Sequence, residues 1–92
     1  MTTDYRPIDC DQHSVLELLA MRRTQVVAEA SSPDGGVQQL RGQVRDVLTR
    51  DGAEYLVLSD QAGKSISVRL DHLLGLSTRD GERLWRQKNV AE

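Results

Sequence analysis

The chain has 92 residues, of which 38% are apolar and 28% are charged, and its formal net charge is −2. That length is enough for one domain and too short for two, and the apolar content excludes a wholly disordered chain. A core of this size also disfavours a deep catalytic cleft. With three aromatic residues and no basic excess, the composition argues against a surface that stacks bases and neutralises phosphates.

The cysteine content and the N-terminus lead us to expect a cytoplasmic protein. One cysteine excludes an internal disulfide framework and fits a reducing compartment. Asp4, Arg6 and Asp9 interrupt any apolar region at the N-terminus, so no signal peptide is predicted. No apolar run is long enough to span a membrane.

The N-terminal region is predicted to contain an extended lead-in over residues 1–11 and then a short helix within residues 12–22. Ser14 and Glu17 have the spacing of a capping box, and Asp11 is an alternative N-cap. These signals place the most regular part of the helix from residue 14 to residue 21.

The buried face of this helix is predicted from the three–four spacing of its apolar residues. Val15, Leu18 and Leu19 fall on one face, with Leu16 and Ala20 beside it. A helix of about two turns does not persist alone, so this face is expected to pack on another element.

Residues 23–77 are predicted to form strands joined by turns, because β-branched and alternating runs lie between clusters of Gly, Asp, Ser and Pro. The predicted strands are Thr24–Ala30, Val37–Leu48, Glu54–Ser59, Lys64–Leu70 and a short one at His72–Leu76. Turns are predicted at Ser31–Gly36, at Asp60–Gly63 and, as a tight hairpin, at Asp51-Gly52.

Two strands carry a further signal. In the second, Leu40, Gly42 and Val44 share one parity, after which the apolar phase moves to Val47, as is typical of a bent or bulged strand. The third, Glu54–Ser59, is apolar on both parities, as expected for a central strand.

The fold class that these elements predict is mainly β, with one short N-terminal helix and a strongly curved antiparallel sheet or small open barrel. Residues 1–77 are expected to form this single domain. The charged residues 78–92 are predicted to be a flexible tail, or a short helix that docks through Trp85.

Patterns for catalysis or for cofactor and metal binding are weak. Cys10, His13 and His72 supply too few ligands for a zinc site. A Cys–His nucleophile pair, with Asp71 to orient His72, would also need an oxyanion hole. We therefore predict no enzymatic activity, no cofactor and no metal, and we expect Cys10 to be a buried thiol.

Two groups of charged residues are candidates for binding a partner. One surrounds the helix entry and the other surrounds the turn before the third strand; they are Asp9, Asp11 and Glu17, and Arg50, Asp51 and Glu54. The simpler explanation for each is ordinary solvation and turn chemistry.

Three blocks of sequence, in matching order and spacing, carry a resemblance to a known family. They are Tyr5 to Asp11 (YRPIDCD) with Leu16-Glu17-Leu18, then Leu48 to Leu58 (LTRDGAEYLVL), then Ile66 to Leu73 (ISVRLDHL). Together they cover residues 5–77 and resemble the Rho-binding antiterminator family. Gln12 and His13 depart from the acidic or aromatic character expected after Asp11, and the turn at Asp51-Gly52 is less basic than in familiar members.

The resemblance implies a helix followed by a curved, Sm-like antiparallel sheet. It also implies a partner and an activity: binding to the N-terminal RNA-binding region of the termination factor Rho, which obstructs RNA loading and suppresses termination. No direct nucleic-acid contact is expected, and the free protein is expected to be a monomer. The alternative from a different class is an Sm-like module that itself binds RNA.

The resemblance also assigns roles to residues. The acidic group at the helix entry would face Rho, and the group at the turn would extend the contact. The scaffold would be held by Pro7, Ile8, Cys10, Leu18, Tyr55, Val57, Ile66 and Val68.

Overall fold

One helix and six strands make up the fold. The structure is a computed structural model, and it describes residues 8–87. The elements are α1 (Cys10–Met21), β1 (Gln25–Ser31), β2 (Val37–Arg50), β3 (Ala53–Ser59), β4 (Ser65–Arg69), β5 (Leu73–Ser77) and β6 (Arg83–Arg86), with a 3-10 turn at Leu70–His72. The one helix found in this part of the chain is too short to cross a bilayer.

The strands form one antiparallel sheet in the order β4-β3-β2-β1-β5-β6. Within residues 8–87, the edge strands β4 and β6 do not pair with each other, so the sheet is open and is not closed into a barrel. The predicted fold class, mainly β with one short helix and an antiparallel sheet, is confirmed.

The curvature of the sheet comes from β2, which pairs with β1 through residues 37–43 and with β3 through residues 43–50. A Cβ at Gly42 would lie 2.7 Å from the carbonyl oxygen of Ser59, so only glycine permits this close approach. The β2–β3 register shifts between Val44 and Asp46, and the core-facing parity moves to Val47. The predicted bend is confirmed.

The turns at both ends of β2 are also where the sequence predicts them. Gly35, Asp51 and Gly52 have positive φ angles of 91°, 53° and 81°. In the first turn, hydrogen bonds from the Ser32 hydroxyl and then the Gly36 amide hold the pKa of Asp34 below its usual value.

The start of α1 lies earlier than predicted, immediately after Asp9. The backbone of Asp9 is extended and its carboxylate accepts a 2.9 Å hydrogen bond from the Gln12 amide, so Asp9 is the N-cap. The predicted caps, Ser14 and Asp11, are wrong, since both lie inside the helix. Ile8, directly before the cap, is buried and anchors the entry of the chain.

The apolar residues of α1 lie on two faces, and the face predicted to be buried is wrong. Leu16 is completely buried and Leu19 packs partly on the core. Val15 and Leu18 are 39% and 42% exposed, and Met21 is 81% exposed. Because the three–four spacing fits both faces, only packing against the sheet selects the buried one.

The core lies between α1 and one face of the sheet. Its largest completely buried side chains are Leu16, Leu56, Leu58, Leu70, Leu73, Leu76, Val26 and Val44. Tyr55 and Val57 are only half-buried because they alternate with Leu56 and Leu58 on the other face of β3. β3 lies between β4 and β2 in the sheet, so the prediction of a central strand is confirmed.

The predicted scaffold residues divide into several groups. Ile8 and Val68 are buried, and Ile66 packs partly on the core, as predicted. Cys10 and Leu18 are exposed, so the expectations of a buried thiol and of a core leucine are wrong. Pro7, like the rest of residues 1–7, lies outside the described residues.

The C-terminal region corrects the prediction of a tail. Residues 83–86 form β6, and Trp85 is 5% exposed and pairs opposite Leu76 on β5. The Trp85 indole donates a 3.0 Å hydrogen bond to the Gln12 carbonyl, while the Gln12 side chain donates to the Arg86 carbonyl. A four-residue strand has little local signal, and the residue of α1 that it bonds to lies more than 70 positions away in the chain.

The burial of Trp85 predicts a large loss of stability on truncation. Trp85→Ala is expected to lower the free energy of unfolding by about 3–5 kcal/mol, because it removes a buried aromatic side chain and one end of the contact with α1. Chemical denaturation followed by circular dichroism measures the change. The exposed Glu82→Ala is the control and is expected to stay within about 0.5 kcal/mol of wild type. Equal stability of the two variants would contradict the docking of β6.

Candidate partner-binding surface

His13 lies between one carboxylate of each predicted charged group, Glu17 and Glu54. Its Nε2 atom lies 2.9 Å from a carboxylate oxygen of Glu54 at the start of β3, and its Nδ1 atom lies 3.6 Å from Glu17. The contact with Glu54 has the distance of an ion pair but not the alignment of a hydrogen bond. Glu17 on α1 and Glu54 on β3 therefore lie around one imidazole. Together with the exposed Asp9 and Asp11 at the start of α1, we call these four carboxylates the acidic patch.

The helix start accounts for the position of two carboxylates in the acidic patch. Asp9 caps the helix and Asp11 lies in its first turn, where the N-terminal end of the helix dipole stabilises negative charge. Both residues are exposed. These carboxylates therefore support the helix and also give the surface its charge.

The tight turn after β2 places Glu54. Asp51 and Gly52 both have positive φ angles, as a two-residue hairpin turn requires, and Asp tolerates this conformation better than most residues. The turn sets the register in which Thr49 pairs with Glu54. Glu54 has the parity of Leu56 and so lies on the face of β3 that is turned towards α1.

Two predicted residues, Arg50 and Asp51, lie outside the acidic patch. Arg50 lies on the face of the sheet opposite to that of Glu54. Its guanidinium carbon lies 4.8 Å from the centre of the Tyr55 ring, a cation–π contact. Tyr55 pairs with Arg69 on β4, and Arg69 donates hydrogen bonds of 2.6 and 2.8 Å to the Asp71 carboxylate. Arg50 thus belongs to a second cluster and does not extend the acidic patch, while Asp51 is exposed at the turn between them.

An exposed row of apolar side chains runs along α1 beside the acidic patch. Val15, Leu18 and Met21 are spaced three apart, and we call this row the helix ridge. Asp11 lies four residues before Val15 and begins the same face. A contiguous exposed apolar surface next to charge is typical of a site that binds another protein.

Sequence reasoning missed the roles of Gln12 and His13, which it treated only as departures from an acidic pattern. Gln12 is 7% exposed and holds β6, and His13 lies between two carboxylates. No local signal identifies either role, because their partners belong to distant strands. The helix ridge, in contrast, is indicated in the sequence, because α1 has apolar residues on two faces and only one face can pack on the sheet.

The other candidate groups from the sequence are dispersed. Cys10 is exposed, and the His72 side chain is 51% exposed, with its Nε2 atom 3.9 Å from Asp71. Over residues 8–87, no cluster of three or more His, Cys, Asp or Glu side chains could hold a metal ion. What this surface offers a partner is negative charge and apolar contact.

Comparison with known proteins agrees with the resemblance in the sequence. Residues 7–85 match the family model described as "Modulator of Rho-dependent transcription termination (ROF)". Two similar relatives, both called Protein rof, come from Escherichia coli (strain K12) and Shigella flexneri. Each is 32% identical over 77 residues, a span that covers 84% of this chain and 86% of the relative.

The contact between His13 and Glu54 predicts an energetic coupling between the two side chains. Because His13 Nε2 lies 2.9 Å from a Glu54 carboxylate oxygen, the coupling between His13→Gln and Glu54→Gln is expected to be about 0.5–1 kcal/mol. A double-mutant cycle on unfolding free energies measures it.

The control for this cycle pairs His72→Gln with Glu54→Gln, since the exposed His72 lies beside Asp71 and not beside Glu54. That pair is expected to show no coupling beyond about 0.3 kcal/mol. A His13–Glu54 coupling no larger than that of the control pair would contradict the contact.

Proposed function

Since this chain belongs to the family of modulators of Rho-dependent transcription termination, we propose that it binds the factor Rho directly and keeps RNA from loading onto Rho's N-terminal RNA-binding region. The observation that carries the proposal is the pair of carboxylates within the acidic patch, Glu17 of α1 and Glu54 of β3, that His13 brings together. The protein acts as a monomeric competitor in the cytoplasm, without catalysis or a cofactor.

Charge complementarity supports this choice of surface. A site that holds RNA must offer positive charge to the phosphates. The four carboxylates of the acidic patch offer the opposite sign, with His13 as the basic side chain between two of them. Complementary charge speeds association and selects the orientation of docking.

The helix ridge supports slow dissociation of the complex with Rho. Interfacial charges mainly set the association rate, whereas desolvated apolar anchors contribute much of the affinity. Burying a leucine or methionine side chain stabilises a complex by up to about 1.5–3 kcal/mol. Leu18 and Met21 are available for this because the core does not use them.

Asp11 and Glu17 are the best residues for testing the charge contact, because both are exposed and neither caps the helix. The wild-type protein is expected to increase readthrough at Rho-dependent terminators and to leave intrinsic terminators unchanged in a purified transcription assay. The double reversal Asp11→Lys/Glu17→Lys is expected to weaken Rho binding by about tenfold or more and to abolish the readthrough.

A matched control changes the same number of charges elsewhere. Asp80 and Glu82 are exposed in the β5–β6 turn, and Asp80→Lys/Glu82→Lys is expected to bind Rho as wild type does. Circular dichroism checks that both double variants are folded. If the folded Asp11/Glu17 variant binds Rho with unchanged affinity, the acidic patch is not the docking surface. Equal readthrough at both classes of terminator would contradict an effect through Rho.

The helix ridge generates a separate prediction about affinity. Leu18→Ser and Met21→Ser are each expected to raise the Kd for Rho by about tenfold, with most of the change in the dissociation rate, because each removes an apolar anchor. Stability is expected to change by less than about 1 kcal/mol, since both side chains are exposed.

Val37→Ser is the control for the ridge, because Val37 is an exposed apolar residue of β2, outside α1. It is expected to leave the Kd unchanged. If surface plasmon resonance gave the same small effect for all three variants, the ridge would play no specific part in binding.

A further inference from the structure

A concave surface lined by basic side chains lies apart from the acidic patch and the helix ridge. It is a cleft of about 710 Å³ where β1, β2 and the end of β3 meet the loop that follows β3 and the β5–β6 turn. Its polar lining includes Gln25, Arg41, Gln43, Ser59 and Arg79. A volume of this size falls within the range of small-molecule sites.

The strand register shows that this cleft opens on the face of the sheet turned away from the core. Val26 and Val44 are buried in the core, and they alternate along their strands with side chains that line the cleft; Val26 also borders it. Gln25 pairs with Gln43, and Gln43 pairs with Ser59, so these three side chains share one face. The same pairing aligns Arg41 with Val27 on that face.

The cleft has a small net positive charge, because two arginines face one carboxylate in its lining. Arg69 and Arg83 form ion pairs with carboxylates elsewhere, but within residues 8–87 neither Arg41 nor Arg79 has one. The carboxylate in the lining is Asp60. That carboxylate accepts 2.9 Å hydrogen bonds from the backbone amides of residues 62 and 64, so it is committed to its own turn.

Both arginines project from ordered backbone. Arg41 lies in the middle of β2, paired in the sheet. Arg79 lies in a turn that is closed by a 2.8 Å hydrogen bond from the Thr78 amide to the Glu82 carbonyl and a 3.0 Å bond from the Glu82 amide to the Thr78 hydroxyl. Ordered backbone therefore brings two guanidinium groups to one cleft, and binding has to order only their side chains.

We propose that this cleft binds an anion that carries adjacent phosphate groups, held by the guanidinium groups of Arg41 and Arg79. The planar fork of a guanidinium matches two phosphate oxygens, and the Gln25, Gln43 and Ser59 side chains add neutral hydrogen-bond donors. The two aromatic residues of the described chain lie elsewhere: Trp85 is in the core and Tyr55 is under Arg50. The cleft therefore recognises phosphate and does not stack a base.

Adjacent phosphates have two sources, a free diphosphate and the backbone of RNA, and the experiment separates them. Isothermal titration of the full chain at low ionic strength uses two probes, inorganic pyrophosphate and a single-stranded oligoribonucleotide. Binding of at least one probe is expected. Arg41→Gln and Arg79→Gln are each expected to weaken that binding by about tenfold or more, because each removes a charged hydrogen-bond donor. Pyrophosphate binding alone identifies a free ligand, and binding of the oligonucleotide alone identifies RNA.

The control is Arg22→Gln, which removes an exposed arginine at the end of α1 that lies outside the cleft. It is expected to leave binding unchanged, and circular dichroism verifies that all three variants are folded. The proposal is overturned if neither probe binds the wild-type chain. It is also overturned if Arg22→Gln weakens binding as much as the two cleft variants do, since binding would then follow net charge alone.

Discussion

Two hydrogen bonds between the first turn of α1 and β6 determine how the helix lies on the sheet. The Trp85 indole donates to the Gln12 carbonyl, and the Gln12 side chain donates to the Arg86 carbonyl. Leu16, one turn further along the helix, is thereby directed into the core. A helix this short is not stable by itself, so its orientation depends on such contacts. The bonds join residues near the two ends of the described chain.

The orientation of α1 decides what the protein presents to a partner. With Leu16 inward, His13 lies beside Glu54 on β3, and the acidic patch extends from the helix onto the sheet. The same rotation leaves Leu18 and Met21 exposed as part of the helix ridge. A rotation that buried Leu18 instead would separate His13 from Glu54 and remove the ridge. The acidic patch and the helix ridge therefore both result from the orientation in which α1 packs on the sheet.

The small net charge of −2 conceals a separation of charge over the surface. The acidic patch lies at the start of α1, whereas Arg41 and Arg79 line a cleft on the face of the sheet turned away from the core. Regions of opposite sign on one small domain orient it in the field of a charged partner. On the proposed function, the acidic patch meets the basic site on Rho, and the arginine cleft stays outside that contact.

Local features of the sequence were sufficient to predict most of the sheet. Gly42 and the phase change to Val47 indicate the bend in β2, and Asp51-Gly52 indicates the hairpin, because backbone sterics and strand alternation act between neighbouring residues. The acidic residues at the helix entry were also found, since charge is visible without a fold. The local pattern of Arg83–Arg86, in contrast, does not distinguish a strand from a tail.

Only the tertiary structure decided which face of α1 is buried, which residue caps it, and which charges lie together. Val15 and Leu18 have the same helical spacing as buried residues, and propensity cannot choose between two apolar faces. Arg50 and Glu54 are neighbours in sequence, but strand pairing places them on opposite faces, one over Tyr55 and one beside His13. The physical reason is that these outcomes depend on contacts between residues far apart in the chain. Their free energies exist only once the sheet and the helix have packed together.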